Sequence, residues 1–131
     1  MNRREQREQL FKILFGVEFH SADELEEQIG LYMEDLGDIS KKDADYMTGK
    51  VRSIMEHMDE IDGMINQASK NWQTTRMAKA ELSILRTAAY ELKYEDDIPV
   101  SVSINEAVAL ATLHRSEHGP AIVHRILPGM V

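Results

Sequence analysis

The chain has 131 residues, of which 43% are hydrophobic and 29% charged, with 7 Gly and 3 Pro; this balance suits one globular domain around a single core and excludes a disordered tail. It contains no cysteine, which excludes disulfides and thiolate metal sites, and the sequence shows neither a secretory leader nor an apolar run long enough for a membrane span, so the expected location is the cytoplasm. The net charge of −8 argues against a surface that is basic all over, yet residues 21–62 hold 13 acidic residues against 4 basic ones while residues 1–20 hold 4 basic against 3 acidic, which leaves room for a small basic patch near the N-terminus.

Leu10, Phe11, Leu14, Phe15, Val17 and Phe19 recur at helical spacing and predict a helix over about residues 3–19 with a broad apolar face. Ser21 and Glu24 have capping-box spacing, and Leu25, Ile29, Met33 and Leu36 mark the inward face of a second helix that ends near Gly37. Ser40 with Asp43 opens a third helix, continued by Ala44, Met47, Val51, Ile54 and Met58. Residues 61–68, which include Gly63, either extend it or form a helix of their own.

Met77, Ala78, Ala80, Leu82, Ile84, Leu85, Ala88, Ala89 and Leu92 occupy nearly every direction of a helical wheel, which predicts a central, buried helix. Residues 95–99 break the pattern, Ser103 with Glu106 again has capping-box spacing, and the helix this opens turns Ala107, Val108 and Ala111 inward. Beyond Gly119 and Pro120 a last short helix carries Ile122, Val123, Ile126 and Leu127 before Pro128 and Gly129 stop it. With no strand alternation and no repeat, the fold class is all-α.

Four cations on the first helix, Arg3, Arg4, Arg7 and Lys12, are candidates for phosphate contact. Spacings of three and four residues make Arg7 a neighbour of both Arg3 and Arg4, and a guanidinium donates two parallel hydrogen bonds to phosphate oxygens at any relevant pH. The plain alternative is a solvated helix end partly neutralised by Glu5 and Glu8. His114 and His118 stand four apart with Glu117 between them and His124 beyond, a spacing compatible with zinc, but the HGP run at 118–120 breaks the helix such a site needs, and no metal site is expected. Arg86 and Glu91 lie on the apolar central helix, so each requires a partner or a route to water; Glu81 is expected to be exposed and, with Lys79, is a candidate for a docking face, although structural pairing is the favoured reading of all four. Trp72 is expected to be buried. Lacking Cys, a Gly-rich phosphate loop and a Ser, His and acid set of convergent spacing, the chain offers no catalytic constellation.

The runs ILRTAAYEL (84–92), DDIP (96–99) and INEAVALA (104–111), preceded by a basic first helix with LFKILF (10–15) and by Trp72 and Arg76, resemble the NusB family over essentially the whole chain. The resemblance implies a single NusB-like RNA-binding domain over residues 1–131, a bundle of about seven helices in two packed groups, with no catalytic activity and no cofactor. It implies a transcription antitermination factor that binds boxA RNA together with the ribosomal protein NusE and acts on RNA polymerase in ribosomal RNA operons. On the same basis Arg3, Arg4, Arg7 and Lys12 belong to the RNA-binding surface and Glu81 to the partner-facing side of the central helix. Where family members carry an FVNGVLD-like motif this chain has IVHRILP (122–128), so Ile122 replaces an aromatic that could stack on a base and Arg125 replaces a glycine within the RNA site; weaker or less selective RNA binding is expected, with Phe at 122 and Asn at 124 restoring it. Two other readings are an RNA-independent protein-interaction module and an accessory domain related to the NusB-like domains of ribosomal RNA methyltransferases. Either a monomer or a homodimer fits the sequence.

Overall fold

In the computed structural model of the chain, residues 1–17, 19–20, 22–70, 72–114 and 119–131 are described. Among them are seven α-helices, three short 3-10 turns and no strand, as expected for a NusB-like bundle. Two compact units follow one another along the chain, Met1–Glu56 and His57–Val131.

The first unit contains α1 (Arg3–Val17), a 3-10 turn (Ala22–Glu24), α2 (Leu25–Leu36) and α3 (Lys41–Glu56). Asn2 starts α1 by accepting the Glu5 N–H on its side-chain oxygen at 2.8 Å, which satisfies one of the helix's orphan donors. Helix α1 packs on α2 and α3 and contributes Leu10, Phe11, Ile13 and Leu14 to a core that includes Ile29 of α2 and Met47, Val51 and Ile54 of α3. Ser40 caps α3, its hydroxyl oxygen accepting the Asp43 N–H at 3.1 Å. The expected cap at Ser21 lies outside the described residues. Gly37 ends α2 with φ +72°, a backbone that residues with a Cβ rarely adopt.

The second unit contains α4 (Met58–Ser69), a 3-10 turn (Thr74–Arg76), α5 (Lys79–Tyr94), α6 (Val100–Leu113), α7 (Gly119–Ile126) and a terminal 3-10 turn (Leu127–Met130). Residues 61–68 thus belong to a helix of their own, with His57 the one residue between α3 and α4. Helix α5 is the centre, packed on α4, α6, α7 and the terminal turn, and its buried residues Leu82, Ile84, Leu85, Ala88 and Ala89 point in several directions, as its all-round apolar pattern predicts. The hydroxyls it buries are satisfied locally, Ser83 donating to the Lys79 carbonyl at 2.9 Å and Thr87 to the Ser83 carbonyl at 3.0 Å. Asn66 fixes the chain before α5 by accepting the Thr74 N–H at 2.7 Å.

The second unit departs from the sequence-based expectations at three places. Helix α6 begins at Val100, three residues before the expected cap at Ser103, because Pro99 in an extended conformation serves as the first flanking residue and its carbonyl accepts the N–H groups of Val102 and Ser103; Ser103 is then a buried residue inside the helix, and its hydroxyl has no hydrogen-bond partner among the described residues. On the inward face of α6 Ala107, Leu110 and Ala111 are buried, whereas Val108 is only half-buried. Trp72 is half-buried, on the stretch between α4 and α5.

Candidate nucleic-acid interface

The four cations of α1 do not share an environment. Arg3, Arg4 and Lys12 are exposed, with Lys12 Nζ 3.4 Å from the Glu8 carboxylate, while Arg7 is only 6% exposed. The reason is visible in the spacing: Arg7 precedes Leu10, Phe11 and Leu14 by three, four and seven residues and therefore lies on the stripe they bury. The start of α1 is tied to α3 through Asp43, which accepts Gln6 Nε2 at 3.0 Å and the Met1 amino group at 2.9 Å. The amino group holds the Asp43 carboxyl below the usual range, and the carboxylate in turn raises the amine. The outcome is an ordered helix end that presents two arginines to water and a lysine two turns further on.

The same helix carries a feature the sequence reading missed. Phe15 is 37% and Phe19 65% exposed, although both belong to the apolar set used to predict the helix. Their periodicity is that of an inward face, but α1 ends at Val17, and Phe19 follows it in a turn whose N–H bonds the Gly16 carbonyl at 3.1 Å.

In the second unit, Glu81 is 5% exposed in the first turn of α5, which corrects the expectation that it faces water: on a helix enclosed on most sides even a polar position near the end is covered. Ile122 is 4% exposed and forms with Val123 and Ile126 the buried face of α7, so position 122 offers no open surface on which a base could stack. Arg125 and His124 of α7 are exposed. His118 and Glu117, half of the candidate metal group, lie outside the described residues; among the described ones no cluster of three or more metal-ligating side chains occurs.

Two pairings could not be foreseen from spacing. Arg86, as required of a charge on α5, has a partner, Asp62 of α4, which accepts Nε at 2.9 Å and Nη2 at 2.8 Å. Burial, with Asp59 nearby, pushes the Asp62 carboxyl up to about 6, and burial brings the Arg86 guanidinium down to about 10. At the C-terminal end of α5, the Glu60 carboxylate accepts hydrogen bonds from Lys93 and the Tyr94 hydroxyl. Those two donors keep Glu60 below the carboxylate range, and the bond to Glu60 pushes Tyr94 up to about 12. The Tyr94 ring stands between His57 and Tyr90, at centroid distances of 4.7 and 5.0 Å.

Residues 4–131 match the model of the NusB family. The chain belongs to that family. Its similarity to the transcription antitermination protein NusB of Agathobacter rectalis is 46% identity over 127 residues, covering 97% of each chain. The protein of the same name from Lachnoclostridium phytofermentans is 39% identical over 131 residues, with 100% of this chain and 99% of that one covered. Among solved structures, T. maritima NusB superposes with a TM-score of 0.86 at 32% identity, over 99% of this chain and 90% of the other. Membership in the NusB family carries a role in transcription antitermination, the role of a non-catalytic factor. No helix among the described residues is long and apolar enough to cross a membrane.

Proposed function

We propose that the protein is a cytoplasmic adaptor that binds boxA RNA together with the ribosomal protein NusE, joins the RNA polymerase antitermination complex and promotes read-through in ribosomal RNA operons, with residues 1–131 acting as one RNA-binding domain. The observation that carries this reading is the exposure of Arg3, Arg4 and Lys12 on one ordered helix of a NusB-family chain. Arg3 and Arg4 take phosphate oxygens through their forked donors, and Lys12 adds a point charge further along. Arg7 supports the helix from the buried side. Arg125, exposed on α7, is a separate candidate for phosphate contact, and the chemistry of position 122 is that of a core residue. Glu81 acts behind the partner-facing side of α5, where its burial suits it to shape that side more than to touch the partner.

The reading is tested by measuring binding of labelled boxA RNA and a scrambled control, with and without NusE, over a salt series. Selective binding that NusE strengthens supports it, and replacing Arg3 and Arg4 with Ala is expected to flatten the logarithmic salt dependence by about 0.7 per lost phosphate contact on a single strand. NusE binding with no preference for boxA would instead favour a protein-interaction module.

A further inference from the structure

We propose that Asp43 of α3 is a positioning residue for RNA binding: an acid beside the arginines of α1, it raises affinity for a polyanion by holding the first turn of that helix in place. This rests on the RNA reading above and names what makes that site competent.

By its own composition α1 starts poorly. Arg3 and Arg4 occupy its first turn, with Glu5 the acid there, and cations at a helix N-terminus oppose the macrodipole. The local bonds all come from Asn2, whose side-chain oxygen accepts the Glu5 N–H at 2.8 Å and whose carbonyl accepts the Gln6 N–H at 3.0 Å. Asn2 is itself exposed, and a terminal turn held only in this way frays. The missing anchor comes from 37 residues away. Asp43 Oδ1 accepts Gln6 Nε2 at 3.0 Å and Oδ2 accepts the Met1 amino group at 2.9 Å, so one carboxylate grips the chain on both sides of Arg3 and Arg4. Asp43 is in turn fixed in the first turn of α3, where its N–H bonds the Ser40 hydroxyl at 3.1 Å. Its charge therefore stands at the starts of both helices, the end that the macrodipole favours for an anion.

Gln6 is a helical neighbour of Arg3, three residues on, so fixing Gln6 orders the turn from which both exposed guanidiniums project. A turn ordered before binding spares the strand the cost of ordering it. The Asp43 side chain is only 15% exposed, which keeps it back from a strand lying on the arginines; it acts through them and does not touch the RNA. Simple electrostatics gives the opposite sign. The Asp43 carboxyl is held below its usual range by the amino group, so it is ionised at neutral pH, and removing a negative charge beside a phosphate site strengthens attraction for RNA. Positioning and charge repulsion thus predict changes in opposite directions for one substitution. Gln6→Ala loosens the same anchor without altering net charge.

The test uses the full chain with Asp43→Ala, Gln6→Ala and Arg3→Ala/Arg4→Ala, and with Asp43→Ala added to the double arginine variant. Affinity for labelled boxA RNA is measured across a salt series, with and without NusE, and amide exchange at Glu5 and Gln6 reports the order of the first turn. Asp43→Ala and Gln6→Ala are each expected to weaken binding about three- to tenfold, to flatten the salt dependence toward that of the arginine variant, and to speed exchange of the two amides. Adding Asp43→Ala to the arginine variant should cost little more, because the groups it positions are already gone. Tighter binding by Asp43→Ala would overturn the inference in favour of charge repulsion. Unchanged RNA binding in Asp43→Ala and Gln6→Ala, with faster exchange or a lower thermal midpoint, would make the anchor a purely structural tie. An equal loss with and without the arginines would place the action of Asp43 elsewhere. If the arginine variant itself binds RNA like the wild type, the RNA reading falls and this inference with it.

Discussion

Asp62 and Arg86 face each other between α4 and α5 through two near-equal hydrogen bonds, Nε to Oδ1 at 2.9 Å and Nη2 to Oδ2 at 2.8 Å, with both side chains largely withdrawn from solvent. Taking the two charges out of water carries a cost that the paired geometry offsets, so removing one partner is expected to hurt more than removing both. Arg86→Met should lower stability by roughly 2–3 kcal/mol, and Arg86→Met/Asp62→Leu should recover part of that loss. Urea denaturation of the two variants measures the difference; an equal or greater loss in the double variant would show that the pair itself supplies the stability.

The bond between Glu60 and Tyr94 sets a pH window. Glu60 is held below its ordinary 4.5, so its contribution to stability is present above that value and is lost as pH falls through the lower folded value. Tyr94 is raised from 10.0 to about 12, so its contribution is fully present below 10 and is lost as pH rises toward 12. Spectrophotometric titration of the folded protein should show a phenol ionising near 12, and Glu60→Gln should bring it back toward 10. A titration curve that Glu60→Gln leaves unmoved would contradict the assignment.

At position 122 the departure from the family motif meets a buried environment. Ile122→Phe adds volume to the face of α7 that also buries Val123 and Ile126, and overfilling a packed site of this kind costs about 1–3 kcal/mol. Destabilisation with no gain in boxA affinity is the expected result, read from thermal melts and the RNA assay. Tighter RNA binding by this variant would mean that the larger ring reaches the surface.

The arginines of α1 should separate by stability. Arg7→Ala removes a side chain lodged on the stripe with Leu10 and Leu14 and is expected to cost about 1–2 kcal/mol. Arg4→Ala, on the exposed side, should stay within about 0.5 kcal/mol. Denaturation midpoints compared with RNA affinities then distinguish a residue that holds the helix from one that touches the ligand.

Although it left open the break at His57 that makes α4 a helix of its own, the sequence taken alone determined the all-α class, most of the helices and their approximate limits, the cap at Ser40, the enclosure of α5 and the family likeness. All of these depend on residues three or four positions apart or on contiguous motifs, where neighbours along the chain are also neighbours in space. It brought together the cations of α1 but could not decide which of them meet water, although the three- and four-residue steps from Arg7 to Leu10, Phe11 and Leu14 hold that signal in retrospect. Tertiary structure decided the rest. Glu81 is buried because α5 is covered even at its first turn, Phe15 and Phe19 are exposed although their spacing is that of an inward face, and Arg86 and Tyr94 find carboxylates 24 and 34 residues away. Burial depends on which surface another helix covers, and a pairing across such distances depends on how whole helices pack; neither is encoded in the local spacing from which a sequence is read.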